Sequence, residues 1–239
     1  MKLVIWGISG TMGKNIKVLA REDDFWTEIH GVDSRTSVQE LAINPDIIID
    51  FSHPTSLEKL LSFALKTKTP IVIATTGFSE KQQQAIDQAS KEIPVLQASN
   101  TSIGMNLLFS LVKQSAKALG SHVDIEIVES HHRRKKDAPS GSAKSLVEHV
   151  EKGLQEKRKI VFGREGECPR EPGEIGVHAL RGGDIKGVHH VHFIDDSEQI
   201  TLSHEALDRK VFARGALKAG KFLIDQGPGF YTMEDVLNI

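Results

Sequence analysis

The chain has 239 residues, with 30 Lys and Arg against 32 Asp and Glu, a net charge of −2 and one cysteine, Cys168. Near-neutrality gives no reason to expect nucleic acid as a partner, and a single cysteine excludes an intrachain disulfide or a thiolate metal cluster. No apolar run approaches membrane-spanning length or carries the flanks of a signal peptide, so a cytoplasmic enzyme of one large or two modest domains is expected.

Lys2-Leu3-Val4-Ile5-Trp6 is a short apolar run that feeds directly into Gly7-Ile8-Ser9-Gly10-Thr11-Met12-Gly13. Met12, Ile16, Leu19 and Ala20 then recur at helical spacing. Strand, glycine turn and helix in that order form the context in which a dinucleotide fingerprint acquires meaning. Gly7 permits the turn, Gly10 admits a pyrophosphate to the backbone, and Gly13 lets the helix pack on the strand. The spacing G-x-x-G-x-x-G is looser than G-x-G-x-x-G. A phosphate loop of the G-x-x-x-x-G-K-[ST] kind is rejected, because Gly7 to Gly13 is one residue too long and Asn15 replaces the magnesium-binding hydroxyl.

Residues 28–33 read as the next strand, closing on Asp33, where an acidic side chain accepts hydrogen bonds from ribose hydroxyls. Asp33 favours NADH slightly, whereas Arg35 offers a cation to the 2′-phosphate of NADPH. Strands at 46–51, 70–74 and 94–97 follow, alternating with helices at 55–66 and 79–91, the second capped by Ser79. Continuous apolar strands between helices imply a parallel sheet covered on both faces. The polar turns Ser52-His53-Pro54, Thr75-Thr76-Gly77 and Ser99-Asn100-Thr101-Ser102 lie beyond the strands' carboxyl ends, where such sheets bind ligands.

From Ile103 the pattern changes. A helix at 105–119 and a strand at 123–128 lead into Glu129-Ser130-His131-His132-Arg133-Arg134-Lys135-Lys136-Asp137-Ala138-Pro139-Ser140-Gly141-Ser142-Ala143. Hydrophobic character lapses over 130–139, which predicts an exposed loop. A helix then opens at Ser140-Gly141-Ser142, and its first N–H groups form an anion site beside imidazoles and a lysine able to transfer protons. Segments 174–180, 188–194 and 199–204 read as strands without long helices between them, so a mostly antiparallel sheet and a second domain are expected. His189, His190 and His192 cluster in one strand, but neighbours in a strand point to opposite faces, and no metal site is expected. A last helix spans 211–224.

The loop His131 to Ala143 closely resembles the H-H-x-x-K-x-D-A-P-S-G-T-A signature of the dihydrodipicolinate reductase (4-hydroxy-tetrahydrodipicolinate reductase) family. The N-terminal glycine turn, Ala74-Thr75-Thr76-Gly77, residues 100–106 and Arg181-Gly182-Gly183-Asp184-Ile185 are similar to that family's other motifs, in order and over nearly the whole chain. The resemblance implies a Rossmann-like α/β nucleotide domain at 1–101, completed by 211–239. It also implies an α+β substrate and tetramerisation domain at 102–210.

It further implies reduction of a cyclic dicarboxylate imine by NADH or NADPH in diaminopimelate and lysine biosynthesis, by a homotetramer whose domains close at a hinge near Ser102. Carried over by motif, His131 and Lys135 are the proton-handling residues, and His132, Ser140, Gly141 and Ser142 hold the substrate's carboxylates. Gly7, Ile8, Ser9, Gly10, Thr11, Met12, Asp33, Ala74, Thr75, Thr76, Ala98, Ser99, Asn100 and Thr101 match the nucleotide contacts. Asp137 reads as a loop-ordering residue. Ser142 replaces the usual threonine, and Ala74, Thr101 and Val188 depart from the common pattern without removing a catalytic group. Two other functions fit the glycine turn alone: a dehydrogenase acting on another amino-acid imine, and a non-enzymatic NAD sensor that does not depend on His131 and Lys135.

Overall fold

In the computed structural model, which describes residues 1–36 and 43–239, the first apolar run becomes β1 (Lys2–Trp6). It is the start of one of two compact units, Met1–Ile103 with Arg209–Ile239, and Gly104–Asp208. Among the described residues no helix is long and apolar enough to cross a membrane.

In the first unit β1 lies between β2 (Glu28–Val32) and β3 (Ile47–Asp50), and the sheet continues through β4 (Ile71–Ile73) and β5 (Pro94–Gln97) to the edge. The edge strand is β11 (Gly229–Tyr231), near the chain's last residues, and every pairing is parallel. Strand order therefore reverses at β1, which is where an open α/β sheet leaves a crevice beyond its carboxyl ends. Ile47, Ile48 and Ile49 are fully buried because both sheet faces are covered. Ile47 and Ile49 pack with α1 (Thr11–Arg21) and α6 (Lys210–Leu223), while Ile48 packs with α2 (Leu57–Thr67) and α3 (Glu80–Ala89). Each such side chain contributes about 1.5–3 kcal/mol on burial. Ser79 caps α3 in a reciprocal box with Gln82, as its position before the apolar periodicity suggested.

The second unit carries one mixed, mostly antiparallel sheet. β6 (Asp124–His131) pairs antiparallel with β9 (Val188–Ile194), which pairs antiparallel with β10 (Gln199–Glu205), in seven-residue ladders. On its other side β6 pairs parallel with β8 (Ile175–Arg181), and β8 with the short β7 (Ile160–Phe162). Ile125, Ile127, Val177, Val191 and Phe193 face α4 (Ile103–Leu119) and α5 (Gly141–Leu154) in a single core.

One expectation needs correction. Ser130 and His131 are not loop residues: β6 runs through both, because β8 supplies ladder partners for both and β9 one for Ser130. His131 is only 9% exposed and Ser140 2%. The polarity of His131 had suggested exposure, but Glu129 and His189 replace water around it.

Candidate functional site

In the first unit the glycine turn is built as its residues dictate. Gly7 has φ +91°, and a Cβ on it would collide with the Phe51 carbonyl; a Cβ on Gly13 would collide with the carbonyl of Gly7. Gly7 N–H donates to Val32 O at 2.8 Å, and Gly10 N–H to Gly7 O at 3.0 Å, which ties β1, β2 and the turn together. Gly10 is the N-cap of α1 and supplies no side-chain hydrogen bond to the helix start. A cleft of about 420 Å³ opens there, lined among others by Gly7, Ser9, Gly10, Asp33, Ser52 and His53. Glycine without a Cβ, a helix N-terminus without a side-chain cap and a carboxylate at the strand's end fit the pyrophosphate and ribose of a dinucleotide. Ile8 and Met12 turn partly toward the core, while Ser9 and Thr11 are exposed.

Asp33 follows β2 and is held by Arg35, whose backbone N–H and guanidinium both donate to it, at 2.9 and 3.1 Å. The Arg35 hydrogen bond holds the Asp33 carboxyl below its usual range. Arg35 itself is 84% exposed at its side chain. At the end of β3, Asp50 is 1% exposed and accepts from the backbone N–H and hydroxyl of Ser52. Ser52 N–H is shared with the Thr75 hydroxyl at 2.9 Å. Burial, only partly opposed by these neutral donors, pushes Asp50 up to about 6.

The other named residues of this unit occupy the same carboxyl edge without lining the cleft. Ala74 N–H donates to Asp50 O, and Ala98 N–H to Ile73 O, in ladder continuation. Thr76 and Ser99 are exposed. Thr75 is turned inward, and the hydroxyl of Thr101 donates to Phe212 O at 2.7 Å. Asn100 Oδ1 accepts from Ser102 N–H at 2.8 Å, shaping the end of that turn.

In the second unit the signature loop joins the end of β6 to the start of α5. Ser140 is the N-cap: its hydroxyl accepts from Ala143 N–H at 3.1 Å. Gly141 is exposed, and a Cβ built on it would meet nothing within 4 Å, so the helix start faces open space. Ser142 follows in the same first turn, whose N–H groups lie outside the helix's own ladder. Lys135, with a side chain 21% exposed, sits 2.9 Å from Asp137. Burial would raise the Asp137 carboxyl, but the Lys135 hydrogen bond, a backbone hydrogen bond and the charges of Lys135 and Arg181 together leave the group lowered. Asp137 O also accepts from Arg181 at 2.7 Å, which fits a loop-ordering position. His132 is half-buried, and its carbonyl accepts from Lys135 N–H at 3.0 Å.

His131 Nδ1 lies 2.6 Å from Glu129 Oε2. Three residues that sequence reasoning left out of the site surround that contact: Glu129, Arg181 and His189. Glu129 also accepts from both terminal nitrogens of Arg181, each at 2.8 Å, and from Ser140 N–H at 3.0 Å. Burial would raise this carboxyl; His131, Arg181 and the Ser140 N–H reverse that and hold it at about 2. His189 stands edge-on to His131, with ring centroids 5.3 Å apart, and its Nε2 lies 3.3 Å from the Ser140 hydroxyl. Burial first, then repulsion from His131, pushes His189 down to about 3, so it stays neutral. His190 and His192 lie on the other face, against Ser203 and Thr201. The available signal was parity: Glu129, His131 and His189 occupy inward positions of paired strands.

A parallel sheet with a glycine turn at its switch point, followed by a mixed-sheet unit bearing a histidine-lysine loop, defines a two-unit nicotinamide-dependent oxidoreductase. The chain belongs to the dihydrodipicolinate reductase family: residues 1–101 match the model of that reductase's N-terminus and residues 104–237 that of its C-terminus. The 4-hydroxy-tetrahydrodipicolinate reductase of Alkaliphilus metalliredigens (strain QYMF) is 57% identical over 239 residues, covering 100% of both chains. The reductase of the same name from Caldanaerobacter subterraneus subsp. tengcongensis is 47% identical, covering 99% of this chain and 98% of its own. In fold, the chain is similar to a dipicolinate-bound dihydrodipicolinate reductase from Paenisporosarcina sp. TG-14, with TM-score 0.79 at 19% identity over 97% of each chain.

Proposed function

We propose that this protein reduces 4-hydroxy-2,3,4,5-tetrahydrodipicolinate to tetrahydrodipicolinate with NADH or NADPH, in diaminopimelate and lysine biosynthesis. The observation that carries this reading is that Glu129 joins His131, at the end of β6, to Ser140, the N-cap of α5, whose first turn is open at Gly141. A helix N-terminus favours carboxylates, which suits a dicarboxylate held by His132, Ser140, Gly141 and Ser142. The reduced nicotinamide, when bound, supplies the hydride. The residues 7–12, Asp33, 74–76 and 98–101 hold the nucleotide, with NADH slightly preferred because Asp33 repels a 2′-phosphate. His131 and Lys135 deliver the proton that the ring needs once hydride has added, and the Lys135 ammonium offsets negative charge developing on the substrate. The protein works in the cytoplasm as a homotetramer assembled through the second unit.

The test is oxidation of NADH and of NADPH with substrate generated in place from pyruvate and aspartate semialdehyde. His131→Ala and Lys135→Ala should each lower kcat by about 10²–10⁴-fold while dinucleotide affinity is retained. Tight dinucleotide binding by a wild-type protein without turnover would instead favour a sensor or another substrate.

A further inference from the structure

Four hydrogen-bond contacts converge on a single carboxylate that is 1% exposed, Glu129. The Arg181 guanidinium engages both oxygens at 2.8 Å, a fork that fixes the plane of the carboxylate. Ser140 N–H takes Oε1 as well, and His131 Nδ1 takes Oε2. An ionised carboxylate has only acceptors to offer, so the hydrogen between Glu129 and His131 resides on Nδ1. That leaves Nε2 as the ring nitrogen open to another partner. Nε2 lies toward Gly187, where an added Cβ would stand 3.2 Å from it, so the missing side chain leaves room at that nitrogen.

We propose that Glu129, clamped by Arg181, is the positioning residue of the proton-transfer step: it holds His131 as the Nδ1–H tautomer and presents Nε2 to the substrate. This rests on the reading of His131 as a proton-handling group. For the reaction to balance, the 4-hydroxyl leaves as water with a proton from the adjacent ring carbon. The reduced nicotinamide, when bound, would supply the hydride that forms one C–H bond of the resulting conjugated ring. The Nε2–H bond of the imidazolium breaks as a second ring C–H bond forms, and His131 returns to neutral with its hydrogen still on Nδ1. The charged and titratable groups around the ring are Glu129 on its own strand, Arg181 from β8, His189 from β9 and Lys135 from the following loop, whose charge bears on His189. His189 is neutral and donates no competing charge. Arg181 balances Glu129, so the trio gains net positive charge only when His131 takes up its proton.

The experiment combines ¹⁵N NMR of histidine-labelled protein with pH–rate profiles, the His131 signals being assigned by their loss in His131→Asn. Wild-type protein should show the Nδ1–H tautomer. In Glu129→Gln the amide can donate to Nδ1, so the population should move toward Nε2–H, and kcat should fall about 10²-fold with little change in the KM for dinucleotide. The limb of the pH–rate profile that reports the proton donor should move to lower pH, since a neighbouring negative charge is gone. Glu129→Asp should recover part of kcat and keep the wild-type tautomer.

An Nε2–H tautomer in the wild type, or full kcat with an unchanged profile in Glu129→Gln, would overturn the proposal. If Glu129→Gln does not fold, the wild-type tautomer and the Glu129→Asp profile still decide it. Lack of wild-type turnover would count against the substrate reading, and the tautomer would still test the positioning role.

Discussion

Asp50 and Glu129 occupy equivalent places in the two units, each near the carboxyl end of a strand beside the candidate site, and each is 1% exposed. Their acidities move in opposite directions. Asp50 has only hydroxyls and a backbone N–H around it, and burial raises it to about 6. Glu129 has a bidentate arginine, an imidazole and a backbone N–H, and is held at about 2. Depth is the same, so the difference comes from whether a cation arrives with the carboxylate. The first unit builds its candidate site from turns and small residues, and its buried acid braces two of those turns. The second unit builds its candidate site around an ion cluster, whose members come from three strands and a helix cap.

Removing the acid from the cluster should have the largest effect. Glu129→Ala leaves Arg181, with a side chain 20% exposed, without its counter-charge and deprives Ser140 N–H of its acceptor. Loss of one partner from a buried pair costs about 3–5 kcal/mol, which urea unfolding should register as a lower midpoint. In the wild type the lowered Glu129 contributes about 3 kcal/mol. That contribution is fully present above the unfolded value of 4.5 and disappears as pH falls from 4.5 toward about 2. The acid limb of the stability curve should therefore flatten in Glu129→Ala. An unchanged limb would mean that the cluster does not hold this carboxylate down.

Asp50 predicts the reverse sign. Because its folded value is raised, no penalty exists below 3.8; the penalty grows between 3.8 and about 6 and is complete above that. Asp50→Asn keeps an acceptor for Ser52 and removes the charge. It should stabilise the protein by up to about 3 kcal/mol at pH 8 and by almost nothing near pH 3.5. Thermal midpoints of both proteins across that range measure the gap. A gap that stays constant with pH would show that Asp50 is not the titrating group.

The same contrast explains what could be read from the residues alone. The parallel sheet was legible because strands such as 46–51 and 70–74 carry continuous apolar centres, Ile47 to Ile49 and Ile71 to Ala74, and the glycine turn was legible from its spacing after β1. β11 was not: Gly229, Phe230 and Tyr231 form a three-residue edge that exists only because β5 is there to pair with it. In the second unit, the segment from His131 to Ala143 announced a charged site by composition. Its support did not, because Glu129 and Arg181 are 52 residues apart and meet only through the parallel pairing of β6 with β8. Local polarity also suggested water where His131 in fact has Glu129 and His189.

Asp33 supplies a third carboxylate at a strand's end and the smallest expected effect. Like Glu129 it is paired with an arginine, but that arginine is 84% exposed and only two residues away, so the pair is local and solvated. On the proposed reading of the nucleotide site, its consequence falls on ligand choice instead of stability. A carboxylate there accepts from ribose hydroxyls and repels a 2′-phosphate, while holding the one adjacent cation that could receive it. Asp33→Asn removes the repulsion and releases Arg35, so the ratio of kcat/KM for NADPH over NADH should rise about tenfold. Arg35→Ala should lower the same ratio, since Asp33 then acts without its counter-charge. If both variants shift the ratio in the same direction, the two side chains do not oppose each other at the ribose. Cofactor choice would then be set elsewhere along the carboxyl edge, with Thr76 and Ser99 the exposed candidates.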